Sequence, residues 1–282
     1  MAYTTIKNSG LFFNSKAYNG NSGTQSLTGI GFQPDLVWVK TRSGAAENHG
    51  LTDSVRGATK TLYSNSDNTE ATCATCLTSF DSDGFSMGSS DQFNGTSGRT
   101  YICWNWKAGT TSGIATNGST TITPSAYSFN QTSGTSIIKY TGNGTTGAKY
   151  PHGLGVTPQV VIVKCLDSAS VWWNVHHVSI GDNSELYLND TSAAPASTAN
   201  GTTPDAVNIA LEGTSTTHNG SGSNYIAYIF AQKTGFSKFG KYTGNGNADG
   251  TFVYCGFKPA LVIAKSITSG NAQNWVMFDK SR

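Results

Sequence analysis

The chain has 282 residues, of which Gly, Ser, Thr and Asn supply 126, and only 12 % are charged. With 11 % aromatics and a net charge of +2 it is too rich in core-formers for disorder and lacks the basic face of a sequence-independent nucleic-acid binder. Its longest apolar runs, such as Val160 to Val163, are far too short to span a bilayer, and the opening Met-Ala-Tyr-Thr-Thr has no basic and apolar regions of a secretory signal.

Small polar residues between aromatic and β-branched runs predict strands joined by many turns. The first element is the turn Tyr18-Asn-Gly20-Asn21, then the strand Gly31-Phe-Gln-Pro34-Asp-Leu-Val-Trp-Val-Lys40. The Asp53-Ser-Val-Arg56 motif follows, and Ser54 to Leu62 is the only stretch with helix-like spacing. Cys73-Ala-Thr-Cys76 has redox or zinc-knuckle spacing, but no second CxxC or HxxxH accompanies it. The expectation is two thiols in a polar loop, with Cys103, Cys165 and Cys255 as reduced core thiols, and no disulfide or metal needed for folding. Asp81-Ser-Asp83-Gly84 resembles the start of a calcium loop without its glycine at position six or its acid at twelve, where Gln92 stands. An Asp-Gly hairpin turn explains it better. Phe93-Asn94-Gly95 then feeds an aromatic strand ending Trp104-Asn-Trp106.

Most of this recurs. Tyr140-Thr-Gly142-Asn143 precedes Gly155-Val-Thr-Pro158-Gln-Val-Val-Ile-Val-Lys164, and His218-Asn219-Gly220 feeds Tyr225-Ile-Ala-Tyr228-Ile-Phe230. A third copy begins with Tyr242-Thr-Gly244-Asn245 and Gly256-Phe-Lys-Pro259-Ala-Leu-Val-Ile-Ala-Lys265, and carries Trp275-Val-Met-Phe278. The Tyr-to-Gly spacings are 13, 15 and 14, so the copies differ by loop-sized indels. The reading is all-β: tandem jelly-roll-like β-sandwich repeats over 1–112 and 113–235, with half a repeat over 236–282, and Lys40, Lys164 and Lys265 at equivalent strand ends. Asp279-Lys-Ser-Arg282 aligns with Asp53-Ser-Val-Arg56, so the third copy lacks a closing aromatic strand. Its apolar set, Phe252, Tyr254, Trp275 and Phe278 among it, is expected at an interface with another subunit or with continuing chain.

Chemistry finds no local constellation. His49, His152, His176, His177 and His218 are scattered, and the adjoining His176 and His177 on a strand must face opposite ways. No nucleophile elbow, phosphate loop or zinc-protease string occurs, and Gly142-Asn-Gly144 and Gly244-Asn-Gly246 precede strands and read as turns. The expectation is therefore no catalytic residue, no cofactor and no metal. Trp172 and Trp173 adjoin, so one of them points outward and is the candidate contact for a glycan or partner.

The turns Tyr242 to Gly246, the strand Gly31 to Lys40, Asp53 to Ala58 and Leu77 to Phe85 together resemble a family of virion-associated proteins from tailed phages, common among phages of marine bacteria and cyanobacteria. The resemblance covers nearly the whole chain. It implies a tail fibre, tail-associated or capsid-decorating protein, assembled in the bacterial cytoplasm, located in the virion and released by lysis. By the same analogy the partners are other virion subunits in a homo-oligomer, a trimer favoured. Members of the family run past the Asp-x-x-Arg motif into a further closing strand, which implies that this chain is cut short or unusual. The alternative is a carbohydrate-binding module of a receptor-recognising fibre, and behind that a surface polysaccharide depolymerase, which would need a carboxylate pair in a cleft.

Overall fold

A computed structural model describes residues 3–182, 184–193, 201–268, 270 and 272–281. In the first unit lie β1 (Phe13–Asn19), β2 (Gln25–Leu27), β3 (Leu36–Thr41), β4 (Gly50–Asp53), β5 (Lys60–Tyr63), β6 (Ala71–Thr72), β7 (Leu77–Asp81), β8 (Gly84–Met87), a one-turn helix α1 (Asp91–Asn94) and β9 (Thr100–Trp106). The second unit has β10 (Ala126–Asn130), β11 (Thr135–Thr141), β12 (Ala148–Pro151), β13 (Val160–Cys165), β14 (Asn174–His177), β15 (Leu186–Tyr187), β16 (Thr202–Pro204), β17 (Asn208–Leu211) and β18 (Asn224–Phe230). The hairpin β19 (Leu261–Ala264) and β20 (Val276–Asp279) ends the chain. The fold is all-β.

Each of the first two units is an antiparallel sandwich. A six-stranded sheet in the order β1-β9-β3-β4-β5-β6 faces the three-stranded sheet β2-β8-β7. In the second unit β10-β11-β18-β13-β14-β15 faces β12-β17-β16. The pleat sends alternate side chains to opposite faces. Val37, Val39, Tyr101 and Cys103 pack on Leu27, Leu77 and Phe85 of the small sheet. The intervening Leu36, Trp38, Ile102 and Trp104 point the other way and meet Ile226, Tyr228 and Trp173 of the second unit. The large sheets are thus buried on both faces, which is why β3 and β13 read as unbroken apolar runs. The two units are stacked layers around a shared core, and the joint between them is held by more than a linker. Asp35 accepts from the Ala108 amide at 2.8 Å and from Ser128 Oγ at 3.2 Å, and Thr110 and Phe129 form a bridge.

The turn motifs are locks. Tyr18 Oη donates to the Phe93 carbonyl at 2.7 Å, and Tyr140 Oη to that of His218 at 2.7 Å. Asn94 and Asn219 each donate from Nδ2 to two backbone carbonyls, and the Gly95 and Gly220 amides each donate to a tyrosine hydroxyl, on Tyr101 and Tyr225. Buried backbone groups need such partners, so the recurring Tyr, Asn and Gly are explained by satisfaction of the turn.

One expectation is corrected. Cys73 and Cys76 are not free thiols but a disulfide with Cα atoms 5.4 Å apart. The turn before β7 closes by a Cys76 amide to Cys73 carbonyl bond of 3.2 Å, which folds the sulfurs together; spacing alone carries no such geometry. Ser54 to Leu62, for all its helix-like spacing, forms a turn and strand, because the Asp53 carboxylate takes the Val55 and Arg56 amides and ends the ladder there.

Candidate functional site

A buried polar cluster lies between the units. The Arg56 side chain is fully buried and ion-paired to Asp53, and its guanidinium reaches Glu70 at 3.2 Å, the Leu51 carbonyl at 3.1 Å and Tyr228 Oη at 3.3 Å. Burial alone would lower the Arg56 pKa, but the Asp53 carboxylate more than offsets it and the group is held above its usual range. Every member is engaged by another, so the cluster joins layers; the Asp53-Ser-Val-Arg56 string was its only trace in the sequence. Near it, Ser54, Val55, Thr111 and Tyr127 help line a shallow pocket of about 360 Å³ in which tyrosine is the only titratable residue.

The histidines are absorbed by structure. His176 pairs in register with Val161 and His177 with Val160, so they face opposite ways. Burial lowers His49, His176 and His218 to about 4 and lowers His152 and His177 as well. Among the described residues no group of three or more His, Cys, Asp or Glu is placed to hold a metal ion. Asp81 and Gly84 are paired across the β7–β8 turn, where Asp83 accepts the Gly29 and Gly31 amides at 2.9 and 2.6 Å.

Of the adjoining tryptophans, Trp172 points outward and is 44 % exposed, while Trp173 is fully buried. Trp173 Nε1 donates to the Tyr63 and Ser66 carbonyls of the first unit at 3.0 Å each, so it is an inter-unit anchor. Trp172 stands edge-on to Tyr187 with centroids 4.7 Å apart, and the Tyr187 hydroxyl donates to Glu185, which also takes Asn174 Nδ2. Burial raises the Glu185 carboxyl. Sequence reasoning found the tryptophan but not Tyr187 or Glu185, which only the β14–β15 pairing brings beside it.

Most of the exposed large apolar side chains among the described residues belong to the third unit. Its hairpin repeats the anchoring seen at Trp173: Trp275 Nε1 donates to the Tyr187 carbonyl at 2.9 Å, and Tyr187 corresponds to Tyr63. Lys164 Nζ bonds the Asp67 and Val171 carbonyls, and Lys265 Nζ those of Thr191 and Gln273. Ser281 Oγ reaches Ser15 of the first unit. Trp275, expected at a subunit interface, rests half-buried against the chain's own second unit, with Leu261 and Met277 on the central core. Phe252, Tyr254 and Phe278 are 85, 74 and 63 % exposed, joined by Val262 and Val276. The Asp279 motif ends at Arg282, which lies outside the described residues.

The difference from the other units is specific. Val37 and Val161 are buried beneath a three-stranded sheet, but Val262 at the matching place is 45 % exposed. β3 and β13 each pair on one side with an aromatic strand, β9 or β18; β19 pairs with β20 alone among the described residues. Fold and surface thus define an all-β protein of stacked antiparallel sandwiches with one open sheet. The chain belongs to the family described as Domain of unknown function (DUF7483), whose profile matches residues 8–282. No curated protein and no solved structure shows significant similarity to it. No helix among the described residues is long and apolar enough to cross a membrane.

Proposed function

We propose that this protein works by assembly and surface contact rather than catalysis, as a structural component of a phage particle: a tail fibre, tail-associated or capsid-decorating subunit. One observation carries the assembly reading. The outer face of the third unit's hairpin, where Val262 and Phe278 lie opposite one another, stays in water, as do Phe252 and Tyr254, although Val37 and Val161 at the place matching Val262 are covered. Large apolar side chains left exposed in number on one unit mark interaction sites. The mutual engagement of the buried Asp53, Arg56 and Tyr228 side chains supports a structural role, and the sequence resemblance is the support for the virion assignment. Light scattering on the 282-residue chain tests the assembly reading: a homo-oligomer, with a trimer favoured, is expected, and Phe278→Ser should weaken it. A monomer at all concentrations, with no binding of an apolar dye, overturns it.

A second reading rests on Trp172. An exposed indole beside Tyr187, with Glu185 and Asn174 close by, offers a flat apolar platform with polar neighbours, the arrangement that suits a sugar ring. A glycan array probed with the wild type and Trp172→Ala tests it; identical patterns overturn it.

A further inference from the structure

We infer that the Cys73–Cys76 bridge is a reversible thiol–disulfide exchange site: an external thiol attacks Cys73, Cys76 is the sulfur released, and the bridge opens and recloses without unfolding the first unit. The inference stands apart from both the assembly reading and the Trp172 surface.

The two sulfurs are unequally placed. Cys73 is half-buried in the short link between β6 and β7, with Thr72, Ala74 and Thr75 beside it exposed. Cys76 is fully buried and packs with Leu77 and Phe85 in the core of the first sandwich. Exchange requires a thiolate to reach one sulfur of the bond that breaks, so access selects Cys73 as the sulfur attacked. The released sulfur has a neighbour: Ser90 Oγ lies 3.4 Å from Cys76 Sγ, and its hydroxyl can donate to the thiolate that forms there. Cys103 and Cys165, by contrast, are fully buried and unbridged, and burial pushes the Cys103 thiol up to about 12.

The backbone holds both cysteines whether or not the sulfurs are joined. The Cys73 amide donates to the Thr59 carbonyl at 2.7 Å and the Cys76 amide to the Cys73 carbonyl at 3.2 Å. The Gly88 and Ser90 amides donate to the Cys76 and Thr75 carbonyls at 2.9 and 3.0 Å, and the Thr59 amide to that of Leu77 at 2.8 Å. The turn is thereby tied to the start of β5 on one side and to the chain after β8 on the other. Opening the bridge removes one covalent bond and none of these five. The Cα atoms then stay 5.4 Å apart, within the span a disulfide bridges, so reclosure is intramolecular and favoured by proximity.

The electrons balance. A thiolate attacks Cys73 Sγ, the bridge breaks, and its electron pair leaves on Cys76 Sγ, giving a mixed disulfide at Cys73 and a Cys76 thiolate. A second thiolate attacks the outer sulfur of the mixed disulfide and releases Cys73. Two thiols are thus oxidised to one disulfide, and the protein takes up their two electrons and two protons. A dithiol performs both steps as one molecule, and an external disulfide drives the reverse.

The test uses the 282-residue chain under native conditions, with dithiothreitol as the thiol and oxidised glutathione as the disulfide. Alkylation and peptide mapping should find Cys73 and Cys76 labelled after dithiothreitol, and Cys103 and Cys165 labelled only after denaturation. Oxidised glutathione should restore the bridge, with the circular dichroism spectrum unchanged throughout. Toward an aromatic disulfide, the Cys73 thiol of Cys76→Ser should react at least about tenfold faster than the Cys76 thiol of Cys73→Ser, once the Cys255 signal common to both is subtracted. A bridge that resists dithiothreitol until the chain unfolds, a spectrum lost on reduction, or equal rates in the two variants overturns the inference. Should either variant fail to fold, acid quenching of the wild type during attack by reduced glutathione decides: the mixed disulfide is expected on Cys73, and finding it on Cys76 overturns the site.

Discussion

The Tyr228 hydroxyl donates a 2.7 Å hydrogen bond to the Asp53 carboxylate, across 175 residues of sequence and between two stacked units. Asp53 also holds Arg56, so a phenol and an ion pair are buried together where the sheets meet. Removing one partner of a buried pair leaves an uncompensated charge. Arg56→Met should cost about 3–5 kcal/mol by denaturant unfolding, and Tyr228→Phe, which removes the bond given to Asp53 and the one accepted from Arg56, about 1–3 kcal/mol. Stability within error of the wild type for Arg56→Met would contradict this account of the joint.

Acid should loosen the fold through histidine. His176 and His218 are buried, and burial lowers both to about 4. The unfolded chain binds these protons near pH 6.5 and the folded chain resists them until about 4, so stability is full above 6.5 and declines as the pH falls between the two. Each group accounts for about 3 kcal/mol across that window. His218→Asn should flatten the decline, and Tm measured from pH 7 to 4.5 checks it.

The two anchoring tryptophans should differ. Trp173 is fully buried and satisfies two carbonyls of the first unit, whereas Trp275 is half-buried and satisfies one. Trp173→Phe should cost about 1–3 kcal/mol and Trp275→Phe less, since water can reach the freed carbonyl. Equal losses in parallel urea titrations would show that burial does not set the difference.

Gly84 tolerates no side chain. Its φ is 152°, and a Cβ there would stand 1.8 Å from the Leu27 carbonyl oxygen of the paired strand. Gly84→Ala should cost about 3 kcal/mol or more, against about 1 kcal/mol for Gly147→Ala, whose Cβ meets open space but whose φ is 79°. A thermal melt of both variants decides.

The Cys73–Cys76 bridge closes only a small loop, so its reduction should cost about 2 kcal/mol or less and leave the fold intact. Collapse of the melt on adding reductant would show that the bridge holds more than its own turn.

Much of the local structure was legible in the residues. The Gly-x-x-Pro segments enter β3, β13 and β19 because proline is tolerated just ahead of a strand, and unbroken Val and Ile runs announce burial on both faces. Period-two alternation put Trp172 and Trp173 on opposite sides, and Asp83-Gly84 marked its hairpin. These signals are local, each encoded by a few neighbouring residues. Long-range partnership left no such mark. Which tryptophan faces solvent, that Tyr228 meets Asp53, that Tyr187 stands beside Trp172, and that Cys73 and Cys76 join were decided by sheet order and the stacking of the units. The same holds for the third unit: the sequence shows an apolar set from Phe252 to Phe278, but only packing divides it into a face resting on the second unit through Trp275 and a face left open at Phe278 and the edge of β19. Strand-forming tendency belongs to a segment, whereas the choice of neighbour depends on surfaces assembled from residues a hundred or more positions apart.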